Sequence, residues 1–285
     1  MSRGRFVTHR GAVVGAILVG LLLVIALLGP HLAGHDPIAR DIDRGLSAMG
    51  APLGPSVDAL LGTDHLGRDV WARLISGAGT SLWIAGLATL LALVIGLAVG
   101  LSAGYAGGWV DGVLMRGVDL VLSFPFLLLA ILLAALLREA GLASSTAPVI
   151  LTLAAVGWTT MARVIRGKAM TIARAEHVTA ARALGASPLR IIVRHILPNV
   201  AGIVVVIALL GLAQALLAEA ALSFLGLGPP PPAASWGRML FEGRAYYRTS
   251  PHLVVAPGIA ILVAVVAFNL LGEGLRDLLD PKERR

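Results

Sequence analysis

The sequence predicts an all-α polytopic membrane protein, with six transmembrane helices and a two-helix loop between spans four and five. Three observations carry that prediction. Hydrophobic residues make up 57% of the 285 positions and charged residues only 14%, against about 25% charged in an ordinary soluble domain. The mean hydropathy of +0.87 calls for a bilayer in place of much of the surrounding water. Charge-free runs long enough to cross it, at ~20 residues each, recur at 11–34, 74–110, 120–137, 140–162, 195–218 and 249–272.

Arg3, Arg5 and Arg10 precede the first run, as they would in a signal peptide. Its apolar core is longer than such peptides use, and "LGPHLAGHDP" lacks a small-x-small cleavage site, so a retained anchor is expected. Segment 32–78 reads as loop to about Leu61, then as the amphipathic stretch "HLGRDVWARLISG". There Leu66, Val70 and Leu74 fall four apart with Arg68, Asp69 and Arg73 to the side, the pattern of a helix lying along the membrane surface. Small residues are dense over 87–108, which lets helices approach closely in lipid and favours a packed bundle. The apolar run 220–237 contains "GLGPPPPAASWG" and is rejected as a span, because prolines leave backbone groups unpaired in lipid.

These elements divide the chain into a cytoplasmic arm (1–10), a first helix with an extracytoplasmic segment (11–78), a five-helix core (79–275) that includes a loop at 167–198, and a cytoplasmic tail (276–285). Of the 23 Lys and Arg residues, 15 fall on the side of the N-terminus. By the positive-inside rule both termini are then cytoplasmic. The pI of about 10.9 reflects charge spread over loop ends facing anionic lipid and implies no nucleic acid. With no cysteine, a disulfide framework and thiolate-bound metal are excluded.

The loop 163–199 is unusually well specified. A first helix, about Ala173 to Leu184, stops at Gly185, a favourable left-handed C-terminal residue. Ser187 and Pro188 then supply an N-cap and a first-turn proline. The second helix is expected to end or kink at Pro198, with Leu189, Ile192, Val193 and Ile196 as its apolar stripe and Arg190 and Arg194 on another face. Ala180 and Ala181 are small enough for another surface to approach. A solvated loop resting on lipid headgroups is one reading; a rigid knob that docks into a cytoplasmic partner is the sharper one.

At these residues the chain resembles a known family. "TAARALGASPLRIIVRHILPN" is similar to the EAA loop of bacterial ABC-importer permeases, most closely the C-type subunit of the dipeptide/oligopeptide/nickel group. "LLGTDHLGRDVWARLISGAGTSL", "MRGVDLVLSFPFLLLAI", "ALSFLGLGPPPPAASWGRML" and "NLLGEGLRDLLDP" match in the family's order. The resemblance departs at Thr179, where the family commonly has Glu before Ala180 and Ala181; Glu176 lies one turn earlier. His195 also replaces a common isoleucine.

The resemblance implies a permease subunit in the bacterial cytoplasmic (inner) membrane. It implies a paralogous second permease, two cytoplasmic ATPase subunits carrying ATP and Mg, and an extracytoplasmic solute-binding protein, with peptides as the leading cargo. It also implies an ATPase-coupling set of Glu176, Thr179, Ala180, Ala181, Arg182, Gly185, Ser187, Arg190, Leu197 and Pro198. The residues agree on one point independently. In "RGKAM", Ala169 stands where a phosphate-binding loop needs Ser or Thr, and Ala162 where it needs its first glycine, so no cofactor is expected in this chain.

Glu219 lies beyond 24 charge-free residues, a depth at which an ionisable group is a functional candidate. It could carry ions in a secondary transporter working alone, or pair within the bundle, for instance with an arginine. Asp119, Gln214 and Asn269 read as interhelical hydrogen-bonding groups or translocation candidates. Asp64, Arg68 and Asp69 read as surface pairs or contacts for the delivering protein. His31, His35 and Asp36 have spacing a metal could use, but two loop histidines are thin support and no metal is assigned. Ser123 and Thr160 have no acid–base partners for nucleophilic chemistry, and the inverted repeats of a secondary transporter are not evident.

Overall fold

The computed structural model describes residues 9–279, and its regular elements among these are all helical. Helices α1 (Arg10–Leu32), α2 (Val70–Ala106), α5 (Ala147–Ala173), α7 (Pro188–Phe224) and α9 (His252–Leu279) are long and apolar enough to span a membrane. Two further helices, α3 (Gly108–Leu122) and α4 (Phe126–Leu137), are apolar enough for a span only when taken together, with a bend of 88° between them. Short helices α6 (Glu176–Ala183) and α8 (Trp236–Gly243) lie between spans. The expected arm and tail fall largely outside the described residues.

The bundle is drawn together by small residues. The most extensive helix pair is α2 with α5, and Gly96, Gly100 and Gly104 line one face of α2 at spacings of four. A Cβ at Gly100 would lie 2.7 Å from the Ala162 carbonyl oxygen, and one at Gly104 would lie 2.7 Å from the Ala169 Cβ. The backbones therefore touch, which is how helices gain dispersion energy in lipid. Likewise α1 packs on α9, where a Cβ at Gly274 would meet that of Ala12 at 2.5 Å.

Four expectations need correction. The third span, expected over 120–137, is broken at Ser123–Pro125 because proline restricts the residue before it and donates no backbone bond. The fourth, expected over 140–162, begins at Ala147 and continues to Ala173. Its charged end packs through Ile165, Ala169 and Ile172, with Arg163 paired to Asp119 and Arg166 to Asp111 on α3.

The stretch from His65 to Gly77 is not a surface-lying helix. Asp69 caps the first turn of α2, its Oδ1 accepting from the Trp71 amide at 2.8 Å, and the helix runs on into the membrane span. Finally, of the two outcomes expected at Pro198, an end or a kink, the loop's second helix does not end there. It widens into a π-turn over Ile192–Ile196 and continues as α7, with Asn199 Nδ2 donating to the His195 carbonyl at 2.7 Å. A widened turn absorbs what a proline cannot bond.

Candidate functional sites: a knob and a cap

At one end of the bundle, α6 and the start of α7 form a compact knob. Helix α6 terminates as the sequence predicts: Gly185 adopts φ +80°, a conformation costly for residues with a Cβ. The Gly185 amide bonds the Arg182 carbonyl at 3.0 Å, and the Ala186 amide bonds the Ala181 carbonyl at 3.1 Å, which closes the helix with a Schellman pair. Ser187 has the extended backbone of a cap, yet its side chain makes no capping bond. Pro188 supplies the pre-set φ alone.

The underside of the knob is apolar. Val178, Ile191, Ile196 and Val200 are fully buried against Ile165, Ala169 and Ile172. The expected stripe of Leu189, Ile192, Val193 and Ile196 is corrected by the π-turn. The buried residues are spaced five across it and then four, which turns Leu189 and Val193 outward.

The tip is open. Leu184 is 88% exposed and Leu189 71%, and Glu176, Thr179, Ala180, Arg182, Gly185, Ser187, Arg190 and Pro198 are exposed around and behind them. Ala181 and Leu197 are half-buried. Arg182 leans back over the Tyr105 ring at 5.4 Å, pinning α6 to the end of α2.

The opposite end is a cap with charge inside. Asp64 and Arg68 are buried, not surface groups: Arg68 Nε donates to Asp64 Oδ2 at 2.7 Å and Arg68 Nη2 to Glu242 Oε2 at 2.7 Å. Arg73 Nη2 reaches the same Glu242 oxygen at 2.9 Å, and Arg238 Nε reaches Glu242 Oε1 at 2.9 Å. Burial alone would raise the Glu242 carboxyl; Arg73, Arg238 and Arg68 outweigh it and hold the group below the usual range. Burial pushes the His65 imidazole down, and its ring stacks on Tyr246.

Asp64, His65 and Glu242 present three potential metal ligands within 4.8 Å, but arginines occupy both carboxylates, so the cluster is an ion-pair network. His35, half of the thin histidine pattern, instead contacts Asp69 at 2.8 Å.

Glu219 is 1% exposed and pairs with no arginine among the described residues. Its carboxylate accepts from Ser223 Oγ at 2.7 Å, Ser235 Oγ at 2.9 Å and Ser81 Oγ at 3.5 Å. Ser235 and Ser81 in turn accept the Arg238 and Trp236 amides, both at 3.1 Å. Glu219 thus ties α7 to α2 and to the first turn of α8.

Of the remaining polar candidates, Asp119 is paired with Arg163 at the knob-side end, and Asn269 is half-buried on α9. Gln214 lines a mostly apolar cavity of about 670 Å³ at the bend of the third span, together with Thr89, Phe124, Phe126, Thr159 and Thr160. Sequence reasoning missed Glu242 and the serines. Glu242 stands four residues after Arg238, an ion-pair spacing that was available to find it.

Five spanning helices and a bent pair, packed through small residues and ending in a compact knob, give the architecture of a polytopic membrane protein. The family described as binding-protein-dependent transport system inner membrane component matches residues 96–285, and the N-terminal TM domain of oligopeptide transport permease C matches residues 1–50. A protein of Brucella abortus named for a peptide transport system permease is 38% identical over 282 residues, covering 99% of this chain and 91% of its own. The glutathione transport system permease protein GsiD of Shigella flexneri is 40% identical over 278 residues, covering 98% of this chain and 88% of its own. In fold, the chain is similar to the inward-facing MetNI methionine ABC transporter, with a TM-score of 0.61 and 20% identity over 73% of this chain and 97% of that one.

The chain belongs to the family of binding-protein-dependent ABC-importer permeases. It is the membrane component, and separate subunits hydrolyse the ATP. The ion-coupled alternative built on Glu219 gains no support from these relatives.

Proposed function

We propose that this permease imports short peptides, glutathione among them, across the bacterial cytoplasmic membrane, with both termini in the cytoplasm. The names of the relatives at 38–40% identity support that cargo. A paralogous permease would complete the pathway, and a solute-binding protein would deliver cargo to the cap end. Two ATPase subunits holding ATP and Mg would dock on the knob within 175–198. Bound nucleotide supplies the closing force on those subunits; this chain's part is to receive it.

One observation carries the reading: an exposed apolar tip, Leu184 and Leu189, on an elbow whose underside is fully packed. Such a surface is firm enough to be pushed and too apolar to be left facing water. Movement of the knob would carry α5 and α7 as rigid bodies past the cavity at Gln214, alternating its access. Glu176 would stand in for the glutamate missing at position 179, since both are exposed on α6.

The test is ATP-dependent uptake in proteoliposomes holding the whole importer. Gly185→Trp is expected to abolish uptake while membrane insertion persists. Normal uptake by that variant would overturn the coupling role of the knob.

A further inference from the structure

The cap carries a basic concavity whose lining residues are separate from those of the cavity at Gln214. It measures about 620 Å³ and is walled by Arg40, Arg68, Arg238, Arg244, Phe241 and the Pro231–Pro232 pair. Glu242 is the one carboxylate on its wall, and three arginines already engage it. The frame sets buried Arg68 and Arg73 and half-buried Arg238 against Asp64 and Glu242, which leaves one positive charge uncompensated; Arg40 and Arg244 add two more at the rim.

The guanidinium of Arg244 is held in place before any partner arrives. It lies 4.2 Å over the Phe241 ring, and its Nη1 donates to the Phe224 carbonyl at 3.0 Å. Arg68 and Arg238 are fixed by their ion pairs. A rigid array of donors binds a carboxylate without first ordering flexible side chains.

We infer that this socket receives acidic side chains of the solute-binding protein when it docks. The inference rests on the orientation and family assigned above. It also moves the expected contact: Asp64, Arg68 and Asp69 are the frame, and Arg40 and Arg244 are the contact. A protein carboxylate fits better than one on the cargo. The walls come from the segments around 38–68 and 231–245, away from the residues lining the spanning cavity, so cargo held here would lie off the path.

The test uses the complete importer in nanodiscs with its own binding protein, reading ATP hydrolysis against binding-protein concentration at low and high salt. In R40E/R244E the half-maximal concentration is expected to rise on the order of tenfold at low salt and less at high salt, as for charges at an interface rim. The R40K/R244K variant should stay near wild type. An unchanged half-maximal concentration would overturn the inference. So would a change confined to the KM for cargo, which would give the socket to the cargo's carboxylate. An equal defect in R40K/R244K would show a structural role and also overturn it. Wild-type uptake that needs no ATP would refute the importer reading instead, a result distinct from all of these.

Discussion

The knob and the cap solve the same problem, the end of a helical bundle, in opposite ways. The knob keeps charge outside and oil inside: Val178, Ile191 and Ile196 are fully buried, while Arg174, Arg190 and Arg194 are exposed. The cap keeps charge inside: Arg68 is 4% exposed and Arg73 1%, each matched to a carboxylate. An end built from paired buried charges holds itself in one arrangement, because misplacing either partner strands the other. An end whose apolar residues face outward is complete only when something covers them. The frame of the cap holds its own shape, whereas the tip of the knob leaves Leu184 and Leu189 uncovered.

The comparison breaks first at Glu242. Glu242→Gln leaves three arginines sharing one fewer carboxylate and is expected to lower stability by about 3 kcal/mol, the low end for unpairing a buried charge. Denaturant titration of the purified permease measures it. The same group sets a pH dependence. Its folded pKa lies below the ordinary glutamate value, so its contribution is complete above that value and is lost only as pH falls through the depressed one. Wild type should therefore lose cap stability on acidification below the usual carboxylate range, and the glutamine variant should lack that step.

Glu219→Ala removes the acceptor for three hydroxyls and should cost about 2 kcal/mol, with protease cleavage near Ser235 reporting a loosened α8. The smallest effect belongs to the knob. Leu189→Ser should change stability by no more than about 0.5 kcal/mol, as for surface positions generally, yet reduce retention of the ATPase subunits on purification. A large stability loss there would mean that the tip is packed by the chain itself.

The helical class, the small-residue packing over 87–108 and the turn at Gly185 were legible because each rests on local chemistry that acts wherever it occurs. The failures are non-local. Nothing within "HLGRDVWARLISG" says that Glu242, far along the chain, will neutralise Arg68 and Arg73 and let the helix turn into the membrane. Asp111 and Asp119 likewise meet Arg166 and Arg163 only through the packing of α3 on α5. The broken third span was available locally in Ser123–Phe124–Pro125, but a charge-free run conceals a bend when read by hydropathy alone. The π-turn beside Pro198 shifted the apolar face by one residue, a change no fixed periodicity anticipates.

Helix α7 begins in the knob at Pro188 and reaches the Glu219 node in its last turns, unbroken over 37 residues. At 1.5 Å per residue that shaft is about 55 Å long, well beyond the hydrocarbon core it crosses. It behaves as a lever arm. A tilt of about 5° would sweep its far end sideways by about 5 Å, so a push on the knob would arrive at the opposite face as a displacement the width of a side chain.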